Sequence, residues 1–160
     1  MQWVPRLGRF LPLVQYGDEI AYRHLLVAYD GTPEGEEAVL AAGLLAERDR
    51  ARLTIAAVVE LERHSRWATR WSRGTGVWND VILDQARADL QHAARLASVA
   101  AELTVLVGTP DRALPEAVDE LGCDAIMLPP RPRSRVKRLL RRDRVAAIRR
   151  RTSCEVVQPR

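Results

Sequence analysis

Asp30 stands directly after an apolar run, Leu25 to Tyr29, and is followed by Gly31-Thr32-Pro33. A carboxylate at such a corner can accept hydrogen bonds from a ligand or cap the turn of its own chain. Three other corners have the same form: Val58-Val59-Glu60, Gly108-Thr109-Pro110 and Pro129-Pro130-Arg131 each follow an apolar run. Thiol and metal chemistry find less support. The two cysteines, Cys123 and Cys154, and the three histidines, His24, His64 and His92, are scattered, and neither H-E-x-x-H nor C-x-x-C occurs. Zinc sites and redox dithiols need ligands at such close spacings. Cys123 and Cys154 precede neighbouring strands, and a reduced, partly buried pair is expected. No Ser-His-Asp arrangement and no carboxylate pair stands out from ordinary helix surface, so a protein without catalytic or metal centre is expected.

Two further clusters carry charge. Between Arg131 and Arg151 lie 11 basic residues and one acid, Asp143, whereas the remainder of the chain has 14 basic and 20 acidic residues. Arginines so concentrated could bind the phosphates of a nucleotide, a nucleic acid or a lipid surface, so an anionic partner is one reading. The other is a solvated helix face, with Val136, Leu139, Leu140, Val145 and Ile148 turned inward and Arg149 to Arg151 suited to a helix carboxyl end. The segment from Leu61 to Val77 contains Arg66-Trp67 and Arg70-Trp71, and Trp78 follows it. Arginine beside tryptophan could stack bases, or the tryptophans could cover a sheet edge or a subunit seam.

The elements that must position these groups are read from periodicity. Five short apolar runs recur: Leu25–Tyr29, Leu53–Val59, Leu103–Val107, Ala125–Leu128 and Val156–Val157. They are continuous rather than alternating, as in strands covered on both faces of a parallel sheet. Helical patterns separate them. Glu34 to Arg48 has acids in its first turn. From Asn79 to Ala100, Ile82, Ala86, Leu90, Ala93, Ala97 and Ala100 form one face, opposite Asp84, Arg87, Gln91 and Arg95. Asp111 to Leu121 ends at Gly122, a natural stop. The order is β-α-β-α-β-α-β-α-β, an α/β, doubly wound parallel sheet. In such sheets ligands lie beyond the carboxyl ends of the strands, where the four corners fall.

At 160 residues and 47% apolar, the chain has the length and core of one domain. An arm, 1–22, precedes a domain over 23–160 that carries the insertion 61–77. The arm is too apolar to wave in water, and packing on its own domain or on a partner subunit is expected. The longest uncharged stretch, Ala38 to Ala46, is nine residues, where a spanning helix needs roughly 20. Arg6 and Arg9 interrupt the apolar start and no small-residue cleavage site follows, so a cytoplasmic protein is expected.

His24-Leu-Leu-Val-Ala-Tyr-Asp-Gly-Thr-Pro-Glu-Gly-Glu-Glu-Ala38 resembles the opening strand, turn and helix of the universal stress protein family. Leu106-Val-Gly-Thr-Pro-Asp-Arg-Ala-Leu-Pro-Glu-Ala117 is similar to its third-strand segment, Gly122-Cys-Asp-Ala-Ile-Met-Leu128 to its fourth strand, and Cys154-Glu-Val-Val157 to its closing strand. The resemblance, over 23–158, implies a five-stranded sheet of order 3-2-1-4-5, the universal stress protein fold shared with adenine-nucleotide alpha hydrolases. It also implies a homodimer formed through the last strand and a stress-response or regulatory role.

Part of that family binds ATP, through an Asp ending the first strand and a G-x2-G-x9-G-S/T signature after the fourth. Asp30 matches the first element, and Val58 falls where the family has an apolar contact to adenosine. The signature aligns onto Pro129, Pro132, Arg142 and Asp143, and all four depart from it. Proline has no N–H to offer a phosphate, and Asp143 would cap the last helix where a phosphate would sit. ATP is therefore not expected as a cofactor. Were a nucleotide bound, Asp30, Val58, Arg131 and Arg142 would be the residues to hold it.

Overall fold

A computed structural model describes residues 21–61, 73–130 and 144–159. Five strands, β1 (His24–Ala28), β2 (Arg52–Val59), β3 (Ala101–Val107), β4 (Ala125–Met127) and β5 (Glu155–Val157), form one sheet. Its order is β3-β2-β1-β4-β5 and every pairing is parallel, the doubly wound arrangement expected from the sequence. Val27 of the central strand sits between Ile55 of β2 and Met127 of β4. Leu25, Leu26, Val27, Ile55, Ile126 and Met127 are fully buried, which is why the runs of β1, β2 and β4 are continuously apolar. The edge strand β3 departs from that expectation, with Leu103 and Val107 exposed.

Helices α1 (Pro33–Asp49) and α2 (Arg73–Ala97) cover one face; α3 (Pro110–Leu121) and α4 (residues 144–151) cover the other. Thr32 caps α1 by accepting the Gly35 N–H at 3.1 Å, and Pro33 occupies the first helical position, where its missing N–H costs nothing. Gly43 lets α1 and α2 touch backbone to backbone, since a Cβ there would lie 2.2 Å from the Ala97 carbonyl oxygen. Along α2, Ala86, Leu90, Ala93 and Ala97 are buried and Asp84, Arg87, Gln91 and Arg95 exposed, as the periodicity predicts. Gly122 ends α3 in the left-handed conformation.

Three boundaries differ from expectation by two residues or more. α2 begins at Arg73, six residues before Asn79 and inside the stretch read as an insertion. It ends at Ala97 rather than Ala100, because Ser98 takes a positive φ of 57° and turns the chain into β3. β3 accordingly starts at Ala101, two residues before Leu103.

α3 carries Pro115 in its interior. That ring leaves the carbonyl four residues earlier, Asp111, without its helical N–H. The Arg151 guanidinium at the end of α4 donates to this carbonyl at 3.3 Å and reaches the Asp111 carboxylate at 3.2 Å. One arginine of the basic stretch is thus a strut between helices. No helix among the described residues is long and apolar enough to cross a membrane.

The arm up to Ile20, residues 62–72 and residues 131–143 lie outside the described residues. With them lie the readings placed on Trp67, Trp71, Arg131, Pro132, Val136, Leu139, Leu140, Arg142 and Asp143.

Candidate functional site

The corners after β1, β2, β3 and β4 all contribute to one cavity of about 250 Å³ at the carboxyl edge of the sheet. Tyr29 and Asp30 come from the first corner, Val58 and Glu60 from the second, Pro110 from the third and Pro129 from the fourth. Leu114 of α3, Leu128, and Val145 and Ile148 of α4 supply apolar walls. Two sequence-predicted site residues, Asp30 and Val58, therefore meet in one place. The other two, Arg131 and Arg142, fall outside the described residues.

The position of Asp30 follows from local hydrogen bonding. Its Oδ1 accepts the Thr32 N–H at 3.2 Å and the Thr32 hydroxyl proton, while the same hydroxyl oxygen accepts from Gly35. The relay holds the carboxylate over the first turn of α1, where the helix dipole favours negative charge. Gly35 makes room for it, since a Cβ at that position would lie 2.5 Å from Asp30 Oδ1. Gly31, at φ 72°, turns the chain between the two.

At the fourth corner Pro129 has no N–H, and its carbonyl accepts the Gln158 side-chain amide at 3.0 Å. Leu128 donates to the Val157 carbonyl at 2.9 Å. This corner presents no backbone donor from Leu128 or Pro129 to the cavity. Arg144 is the one cation lining it among the described residues, opposite the carboxylates of Asp30 and Glu60. Arg144 and Glu60 form no ion pair with a described residue. Nearby, Thr109 caps α3 by position, and its hydroxyl, with Arg151, holds the Asp111 carboxyl below its ordinary range.

Sequence reasoning places Tyr29 in the first corner without giving it a role, and does not single out Leu114, Leu128 or Arg144 as site residues. Tyr29 reads as the end of an apolar strand, and Leu114 as an ordinary inward position of a helix. Both cysteines lie away from the cavity in the α3–α4 layer. Burial pushes the Cys123 thiol up to about 11 and raises Cys154 as well, so neither resembles an activated thiolate. No cluster of three or more metal-ligating side chains occurs among the described residues.

Comparison with known proteins agrees with this geometry. A universal stress protein solved in complex with cAMP is 26% identical, with a TM-score of 0.65 over 88% of this chain and 99% of that one. UspA from Lactobacillus plantarum is 19% identical, with a TM-score of 0.68 over 88% and 99% of the two chains. The universal stress protein from Archaeoglobus fulgidus, solved with dAMP, is 16% identical, with a TM-score of 0.62 over 88% and 100%. At those lower identities the last two speak for the fold alone. No curated protein matches the chain. The model of the universal stress protein family matches residues 21–158, the whole sheet and all four helices described above, and the chain belongs to that family.

Proposed function

We propose that this chain is a non-catalytic binding protein of the stress-response type that does not hold ATP in the manner of the family's ATP-binding members. Pro129 carries the reading. The second position beyond β4, where those members place a glycine N–H against phosphate, has no N–H here, and its carbonyl is engaged by Gln158. The raised thiols of Cys123 and Cys154 speak against covalent catalysis through cysteine. The protein works in the cytoplasm as a homodimer.

ATP at 1 mM is expected to leave the melting temperature unchanged. A site with a Kd of about 10 μM would instead stabilise the fold by ~2.7 kcal/mol. A shift of that size with ATP, absent with inorganic phosphate, overturns the reading.

A second reading keeps a purine nucleotide with a single phosphate. Asp30 and Val58, the two residues matching the adenosine side of the family's site, line one apolar cavity. The relative 26% identical to this chain was solved with cAMP. Saturable stabilisation by AMP or cAMP, lost on Asp30→Asn, would establish it.

Dimerisation is assigned to β5, the edge strand. Glu155 N–H and Val157 C=O face β4, so in a parallel strand the Val156 N–H points outward to the open edge. Val156→Pro removes that outer donor alone and should give a folded monomer in light scattering. An anionic partner on the arginine face is the remaining alternative. Arg144, Arg149 and Arg150 are exposed, whereas Arg151 is bound to α3. Loss of heparin retention on Arg149→Glu/Arg150→Glu would support it.

A further inference from the structure

A second cleft, of about 340 Å³, opens on the α1–α2 side of the sheet at the carboxyl ends of β1 and β2. Val59, Val81 and Ile82 form its apolar wall, and Tyr29, Asp30, Gln85 and Asp89 supply its polar groups. Tyr29 is only 5% exposed. Its ring packs on the first turn of α1, where a Cβ at Gly35 would come within 3.1 Å of it. Yet its hydroxyl makes no hydrogen bond to any described residue, although buried tyrosines ordinarily find a partner.

The surroundings of that hydroxyl are anionic. Burial first, then the carboxylates of Glu36, Asp89 and Asp30, raise its pKa. Asp89 Oδ1 accepts from Gln85 Nε2 at 2.8 Å. Its Oδ2 lies beside Gly31, 3.4 Å from where a side chain there would begin. Glu36 is paired with His92 at 3.0 Å. No lysine or arginine among the described residues lines the cleft.

We propose that this cleft binds a small aliphatic amine, its ammonium group held by Asp89 and the Tyr29 hydroxyl oxygen and its methylenes laid on Val59, Val81 and Ile82. An ammonium brings positive charge and further N–H donors to a hydroxyl with no partner among the described residues and to a carboxylate whose one described donor, Gln85, is neutral. Charge-assisted hydrogen bonds are the stronger kind. An anion would meet the two carboxylates that line the cleft, Asp30 and Asp89. A hard divalent cation needs six or more oxygen ligands, and no cluster of three or more metal-ligating side chains occurs among the described residues. The cleft shares Tyr29, Asp30 and Val58 with the nucleotide-side cavity, whereas Asp89, Val81, Ile82 and Gln85 line the cleft and not that cavity. Variants at Asp89 and Val81 therefore test the proposal separately from either reading of that cavity.

Titration of the full-length protein with 1,4-diaminobutane, followed by calorimetry, tests it. Saturable binding in the millimolar range or tighter is expected, and 1,4-butanediol, which has the same chain without charge, should not bind. Asp89→Asn should weaken the amine about tenfold or more, the loss of a hydrogen bond to a charged group. Tyr29→Phe should weaken it several-fold, and Val81→Trp, at an exposed position, should block the cleft without disturbing the fold. Each variant is checked by circular dichroism. The proposal fails if the amine does not bind, if the diol binds equally, if Asp89→Asn or Val81→Trp leaves amine affinity unchanged, or if calcium displaces the amine.

Discussion

The two ends of the sheet are built from the same five strands and treat polar groups in opposite ways. At the amino end nearly every polar group meets a partner within the chain. Asp124 accepts the Arg23 and His24 N–H groups at 2.8 and 2.9 Å, His24 Nε2 meets Thr54 Oγ1 at 2.8 Å in the core, and the Tyr22 hydroxyl donates to Glu155 at 2.6 Å. At the carboxyl end the Tyr29 hydroxyl, Glu60 and Arg144 have no hydrogen bond or ion pair among the described residues, and two clefts open between them. Unpartnered polar groups weaken a fold, while partnered ones cannot serve a ligand. Partnered polar groups are therefore concentrated at one end of the strands and open clefts at the other, the end where ligands lie in parallel sheets whose loops carry function.

The largest expected effect lies at Asp124. Its carboxylate ties β1 to β4 across 100 residues of chain by two backbone hydrogen bonds. Hydrogen bonds to a charged group are worth about 1.5–3 kcal/mol each, and they share one acceptor. Asp124→Ala is expected to destabilise the protein by about 3 kcal/mol in urea unfolding. A loss under 1 kcal/mol would break the contrast between the two ends.

Thr32 tests the opposite end. Thr32→Ala removes the cap of α1, worth about 1 kcal/mol, together with the hydroxyl that donates to Asp30. A modest drop in stability is expected alongside a change in any ligand binding that needs Asp30. The same stability loss with unaltered ligand binding would make Asp30 a turn cap and nothing more.

The strands, the stop at Gly122 and the small-residue face of α2 were legible because burial on both faces and helical spacing leave repeating marks. So was the meeting of Asp30 and Val58, because the topology sends every strand's carboxyl end to one edge. The start of α2 was not. Gly74, Thr75 and Gly76 are poor helix formers, and they hide the first turn of the helix. The role of Tyr29 is equally hidden, since an aromatic residue closing an apolar run reads as core. The strut from Arg151 to Asp111 joins residues 40 apart. Pro115 is its one local mark, a proline whose freed carbonyl needs a donor from elsewhere.

A smaller effect concerns acid. The Asp49 side chain is 5% exposed, and hydrogen bonds from Arg48 and the Tyr22 N–H hold its carboxyl below the ordinary range. A group with a depressed folded-state pKa stabilises the fold fully above its unfolded value, about 3.9 for Asp, and that contribution fades as pH falls through the folded value. Asp49→Asn should therefore be less stable than the wild type near neutrality. The difference should narrow on acidification below about pH 4. Guanidinium midpoints at both pH values would show this, and a constant difference would place the contribution of Asp49 in packing.

The smallest effect is expected from the exposed pair that joins the edge strand β3 to its neighbour β2 at this same end. Arg52 and Glu102 meet at 2.8 Å across β2 and β3, yet their side chains are 63% and 57% exposed. Each shifts the other's titration, Arg52 upward and Glu102 downward, chiefly through that hydrogen bond. Water and salt screen such a pair, and holding two long side chains in one geometry costs entropy. A double-mutant cycle with Arg52→Ala and Glu102→Ala should give a coupling of at most about 0.5 kcal/mol, fading at high salt. A coupling above 1 kcal/mol that survives 1 M salt would mean that side-chain pairs, and not the carboxylate clamp on the backbone at Asp124, hold the amino end closed.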